Sequence, residues 1–170
     1  MSPKVSKIYK GLAMEGFIAS WYAKSTKKNM EQYKAWARRV AEHAAEGSCV
    51  LDLAPGPGYL ARELAKLGNY QVVGLDISET FVEIAQTKGK EAGVEIEFRQ
   101  GEAANMPFDH ETFDFIVCTS AFKIFTEPVG VLSKMYRGLN TNEKSLIINL
   151  RRDAYQEVID SHVKMQVRIE

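Results

Sequence analysis

Three acids and two glycines carry most of the chemical information in this chain. In Val50-Leu51-Asp52-Leu53-Ala54-Pro55-Gly56-Pro57-Gly58 an apolar run ends in a carboxylate and passes into a glycine-rich turn. Glycine at 56 and 58 permits tight dihedrals and a close approach of a ligand to the backbone. Asp52 sets a negative charge beside that turn. Such a charge repels a pyrophosphate and suits a ligand bearing an ammonium or sulfonium group. A plain strand-to-helix turn is the simpler alternative. Gly56-x-Gly58-x-x-Ala61 also fits a dinucleotide fingerprint, a weak match that Asp52 opposes.

Further candidates follow in order. Asp76, in Val73-Gly74-Leu75-Asp76-Ile77-Ser78, comes 24 residues after Asp52. A carboxylate closing a second strand can accept both hydroxyls of a ribose. The competing role is a helix N-cap. Glu102, in Gly101-Glu102-Ala103, can accept from an adenine amine, or it is an exposed turn acid. Thr119 and Ser120 end the apolar run Phe113–Cys118 and offer hydroxyls and carbonyls to a ligand amine, or they form a plain loop.

The elements that must position these groups alternate strand, turn and helix. Tyr33, Trp36, Ala37, Val40, Ala41 and Ala44 recur at helical steps and predict a helix over 30–45, ended by Gly47. Strands are expected over 49–53, 71–75, 94–99, 113–119 and 145–150. Helices are expected over 59–67, stopped by Gly68, from a Ser78 cap to about Ala92, and over 128–139. Alternation of this kind specifies parallel strands with crossover helices, and near-continuous apolar strands mean that both sheet faces are covered. The expectation is an α/β, Rossmann-like doubly wound parallel sheet whose ligand crevice lies beyond the strand C-termini.

Composition bounds the rest. The chain has 170 residues, 22 basic and 22 acidic, and is 45% hydrophobic, which fits one ordinary globular domain. The balanced charge argues against a nucleic-acid partner. The basic cluster Lys24, Lys27, Lys28, Lys34, Arg38 and Arg39 reads as a solvated helix face rather than a binding patch. No apolar run approaches a membrane span, so no membrane partner is expected, and without a signal-peptide core the placement is cytoplasmic. Cys49 and Cys118 read as buried free thiols, and the isolated histidines exclude a metal site.

In order and spacing, these segments together resemble a class I S-adenosylmethionine-dependent methyltransferase, of the small-molecule type that includes ubiquinone and menaquinone biosynthesis enzymes. Asp52 to Gly58 resembles that family's first motif, Asp76 its second-strand acid and Gly101-Glu102-Ala103 its "G-D-A" segment. Met106-Pro107-Phe108 with Phe113-Asp114, and Met135-Tyr136-Arg137-Gly138-Leu139, match its approaches to strands four and five. The resemblance implies S-adenosylmethionine as cofactor, with Asp52 near its methionine part and Ala54, Pro55, Gly56 and Gly58 at the close-approach turn. It further implies Asp76 on the ribose, Ile77 against the adenine, Gly101, Glu102 and Ala103 along the adenine edge, and Thr119 at the ammonium. Tyr22, beside Trp21, falls where relatives carry an aromatic lid.

Several positions depart from that pattern. Ala54 stands where glycine is usual, which is tolerable if its φ is negative. Asn140-Thr141-Asn142-Glu143 replaces a "K-P-G-G" turn and should strain it. Lys123 stands where many relatives have histidine. Methyl transfer needs mainly positioning, so no catalytic residue is assigned; Lys123 and His110 are the candidate bases.

The organisation expected is a helical lid over 1–46, the cofactor-binding core over 47–150 and a helix or tail over 151–170, all in one domain. The antiparallel hairpin that ends the full fold is not expected. That leaves the fifth strand as an apolar edge, suited to a truncated protein, to a homodimer paired there, or to cover by the tail. The leading function is methylation of an unidentified small molecule. The alternative is a non-catalytic S-adenosylmethionine- or nucleotide-binding domain. A dehydrogenase-type dinucleotide domain ranks third.

Overall fold

A computed structural model describes residues 14–149 of the chain. Among these residues five helices and five strands follow in order, with only a short turn between the third and fourth strands: α1 (Gly16–Thr26), α2 (Met30–Ala41), β1 (Cys49–Leu53), α3 (Tyr59–Leu67), β2 (Gln71–Asp76), α4 (Glu79–Glu91), β3 (Glu97–Gln100), β4 (Phe113–Thr119), α5 (Pro128–Gly138) and β5 (Leu139–Ile148). Local chemistry sets the boundaries. Ser78 caps α4 by accepting from the Phe81 amide at 3.0 Å, and Pro128 opens α5, where a missing N–H costs nothing.

The strands form one parallel sheet in the order β3-β2-β1-β4-β5. β1 is central, and the order reverses between β1 and β4. In an open α/β sheet that switch point opens a crevice at the strand C-termini. Alternate strand residues feed two cores. Val50, Val72, Phe115, Val117, Leu146 and Ile148 pack with Trp36, Val40, Leu60 and Leu64 on one face. Leu51, Leu53, Leu75, Ile116, Cys118 and Ile147 pack with Val131 and Met135 on the other. Burial on both sides explains the unbroken apolar runs.

Three expectations need correction. The helix expected to reach 45 ends at Ala41. The third strand begins at Glu97, because the Val94 amide is used to close α4 on the Gly89 carbonyl, with Gly93 at φ 67°. β5 begins at Leu139, directly after α5, and takes in the segment read as a strained turn. There Phe113 pairs Leu139 while Phe115 pairs Lys144, so the extra residues bulge out of the ladder. Asn142 supplies the left-handed residue at φ 66°, a role asparagine tolerates. Asn140 donates to Asp114 at 2.7 Å, and Thr141 to Glu111 at 2.6 Å.

Cys49 and Cys118 are free. Among the described residues no helix is long and apolar enough to cross a membrane, and no His, Cys, Asp and Glu cluster could hold a metal. The helix expected near Ala154–Gln166 lies outside the described residues.

Candidate functional site

The turn from β1 into α3 is wound tightly. Ala54, Gly56 and Gly58 all have positive φ, at 57°, 55° and 73°. The tolerance argued for Ala54 therefore fails: it stands in the left-handed region, where a Cβ costs roughly 1–2 kcal/mol. The turn holds it there, since the Ala54 amide continues the ladder to the Leu75 carbonyl at 2.8 Å. A Cβ on Gly56 would meet only Phe81, at 3.9 Å, so φ is what requires glycine and the space beside it stays open. Gly58 is different. A Cβ there would strike Ala85 and Phe98 at 2.8 Å, so Gly58 packs α3 against the sheet.

Asp76 is 6% exposed and ties two turns together. Its Oδ2 accepts from the Gly56 amide at 2.8 Å, and its Oδ1 from the Ser78 amide at 2.9 Å. Burial raises its pKa, and these amides pull it back. Its N-cap role is thus shared with Ser78, which holds the cap itself.

Asp52 has the opposite setting. It lies mid-sheet, opposite Gly74 and Val117, 1% exposed, and neither carboxylate oxygen has a hydrogen-bond partner. Burial, then the charge of Asp76, pushes its pKa up to about 7. The Ala61 amide opposes the rise without completing a hydrogen bond. Leaving such a group unpaired is costly unless something else meets it.

One cavity of about 230 Å³ opens above these turns. That is many times the ~10–15 Å³ that one water occupies. Ala54, Pro55, Gly56, Asp76, Ile77, Gly101, Glu102, Ala103, Thr119 and Tyr22 all line it, so most of the sequence candidates share a single opening. Asp52 and Gly58 do not line it. Gly101 leaves no room for a side chain, since a Cβ would meet Leu75 at 2.8 Å. Ser120 follows at φ 62°, its amide bonded to the Ile148 carbonyl at 2.6 Å. His110 and Lys123 are exposed and do not line the cavity, so neither base candidate is brought to it.

Sequence reading missed an aromatic wall. Tyr33, Trp36, Phe81 and Phe125 line the cavity with Met14 and Ile124. Tyr33 and Trp36 count in the sequence only as evidence of helical periodicity. Their unusual size on helix faces was the available signal. Burial raises the Tyr33 pKa to about 12, with nearby Tyr22 adding to the rise.

The family described as "Methyltransferase domain" matches residues 50–142, more than half of the chain. A demethylmenaquinone methyltransferase from Thermotoga maritima is 36% identical over 118 residues, covering 68% of this chain and 50% of that protein. An uncharacterized methyltransferase from Bacillus subtilis is 30% identical, covering 65% and 44%. The chain spans about half the length of the curated relatives it matches. Among solved structures, the YcgJ protein of Bacillus subtilis aligns with TM-score 0.64 at 27% identity, over 77% of this chain and 55% of that one. A SAM-dependent methyltransferase from Aquifex aeolicus gives 0.72 at 23%, over 83% and 77%. The [4+2]-cyclase SpnF gives 0.66 at 21%, over 71% and 47%, so the fold alone does not fix the chemistry.

Proposed function

The chain belongs to the methyltransferase-domain family, and from that premise we propose that its cavity binds S-adenosylmethionine and presents the methyl group to a small apolar acceptor. The observation that carries this reading is Asp52, a buried carboxylate with both oxygens unpartnered beneath a glycine turn whose Gly56 leaves open space. A cationic ligand group meets that need, directly or through water, and a pyrophosphate aggravates it.

The residues present fit the cofactor part by part. Asp76, pre-oriented by two backbone amides, retains lone pairs for ribose hydroxyls. Ile77 packs on the adenine, with Gly101, Glu102 and Ala103 along its edge. Thr119 meets the ammonium. Gly58 acts through packing rather than contact. When bound, the cofactor supplies a methyl on a sulfonium, a leaving group already activated. The chain then has to position the acceptor and exclude water. Tyr22, held edge-on to Phe81 at 5.8 Å, and the aromatic wall serve both ends.

The names of several relatives, demethylmenaquinone methyltransferases, support an apolar quinol as the acceptor, and a flat apolar ring suits a wall of Tyr33, Trp36 and Phe125. No residue at the cavity is assigned as a base. The same reading keeps residues 1–46 as a lid, 47–150 as the core and 151–170 as a tail. It places the protein in the cytoplasm and pairs two copies along β5, which has a strand neighbour on one side only among the described residues.

Titration calorimetry with S-adenosylmethionine against NAD tests the proposal. Binding of the first alone is expected. Preference for NAD, or no heat with either, rejects it. The second reading, a binding domain without turnover, rests on SpnF, whose chemistry differs on the same fold. Methyl release onto an apolar quinol panel separates the two.

A further inference from the structure

Two sides of α1 differ in character. Ala19 and Ala23 are buried, and Tyr22 lines the cavity. The other side carries Phe17, Ile18 and Trp21, which are 83%, 40% and 61% exposed. At the helical step of about 100° per residue, Phe17, Trp21 and Lys24 fall on one stripe. Lys24, Lys27 and Lys28 are all exposed at its end.

The basic cluster read from the sequence as a solvated face divides by element: Lys34, Arg38 and Arg39 lie on α2, and Lys24, Lys27 and Lys28 on the end of α1 and the turn after it. Lys34 pairs Glu31 and Arg39 pairs Glu42, both at 2.7 Å. Among the described residues no carboxylate lies within ion-pair distance of Lys24, Lys27 or Lys28. Charge is also unevenly placed along the chain. Residues 1–28 contain six lysines against Glu15 alone, although the whole protein balances 22 against 22.

Exposed lysines with no carboxylate partner among the described residues suit an anionic partner. Large exposed aromatics beside them call for one with an apolar layer beneath the charge. A nucleic-acid backbone satisfies the first demand only; a lipid surface satisfies both. We propose that α1 docks on an anionic lipid surface, with Phe17, Ile18 and Trp21 in the acyl boundary and Lys24, Lys27 and Lys28 among the headgroups. Surface docking of this kind needs no spanning helix. The inference rests on the outer side of α1 and holds whatever ligand the cavity takes.

The chain's two tryptophans supply the readout, since Trp21 is exposed and Trp36 is buried. The full chain is titrated with phosphatidylcholine vesicles, with or without an equal share of phosphatidylglycerol. Co-sedimentation and a blue-shifted emission are expected with the anionic vesicles only. Trp21→Phe should abolish the shift while sedimentation persists. Changing Lys24, Lys27 and Lys28 together to Gln should cut partitioning roughly a hundredfold. Phe17→Ser with Ile18→Ser should cut it at least about tenfold. These sites are exposed, and an unchanged circular dichroism spectrum confirms the fold of each variant. Equal partitioning onto neutral vesicles, no sedimentation, a shift that survives Trp21→Phe, or tighter binding to single-stranded RNA than to anionic vesicles would overturn the proposal.

Discussion

The ends of β1 and β2 lie side by side, and each carries an aspartate. At Asp76 each carboxylate oxygen already accepts one backbone amide, from Gly56 and from Ser78, and keeps a lone pair free. At Asp52 it is more deeply buried, and both oxygens lack a partner. The first arrangement is finished by the chain itself and holds two turns in register. The second is left incomplete, so the folded state bears a cost that a cationic ligand removes. The contrast separates a group that holds the turns together and offers a ligand only its spare lone pairs from one that has no partner until a ligand arrives.

The largest expected effect comes from reversing the two roles. Asp52→Asn should weaken S-adenosylmethionine by ~3 kcal/mol, since a buried charge partner is lost. The same change should stabilise the empty protein, by an amount that depends on pH. Its folded pKa is raised from 3.8 to about 7, so between those values the native state holds its proton more tightly than the unfolded chain. Wild-type stability therefore falls as pH climbs through that window and is lowest above it. At about 1.4 kcal/mol per pH unit across that window, the cost comes to roughly 4–5 kcal/mol as an upper bound. Denaturant midpoints at pH 4, pH 5 and pH 8 check this; the variant should gain most at pH 8, less than half as much at pH 5 and little at pH 4.

Asp76→Ala should move both quantities down. Cofactor affinity is expected to fall by ~1–3 kcal/mol, and stability should fall too, because two amides lose their acceptor. A stabilised Asp76→Ala protein would erase the distinction between the two acids. Calorimetry and thermal melts on the same sample measure both.

Strain sharpens the comparison at a smaller scale. Ala54, at φ 57° beside the cavity, should yield about 1 kcal/mol of stability when changed to Gly, with cofactor affinity unchanged. Asn142, at φ 66° in the β5 bulge, should change by less than ~0.5 kcal/mol when made Gly, since asparagine already tolerates that conformation.

Strands and helices bounded by glycine were legible from the sequence. α3 stands at its expected limits because Gly58 and Gly68 flank it, and β1 and β4 because their apolar runs begin after Ser48 and Thr112 and give way to the Ala54-Pro55 turn and to Ser120. β5 was read too short because Asn140 to Glu143 look like a turn. What draws them into the sheet is long-range: Asn140 to Asp114, and Thr141 to Glu111. The sign of φ at Ala54 was equally hidden, since the Leu75 carbonyl that holds its amide belongs to another strand. Along the cavity, the acids and glycines declared themselves by type and order. Tyr33 and Trp36 did not, because a residue that fills a helical stripe gives no sign of facing an opening as well. The depth of Asp52 beneath the cavity was also invisible, as only the sheet above and beside it creates that burial.

The central claim is that Asp52 waits for a ligand's positive charge, and proton release on binding measures it most directly. Calorimetry of S-adenosylmethionine binding at pH 6.5, run in buffers of different ionisation enthalpy, should give a fraction of a proton released per site. That release should vanish in Asp52→Asn. Binding with no net proton exchange in the wild type, or a release that persists in the variant, would contradict the account.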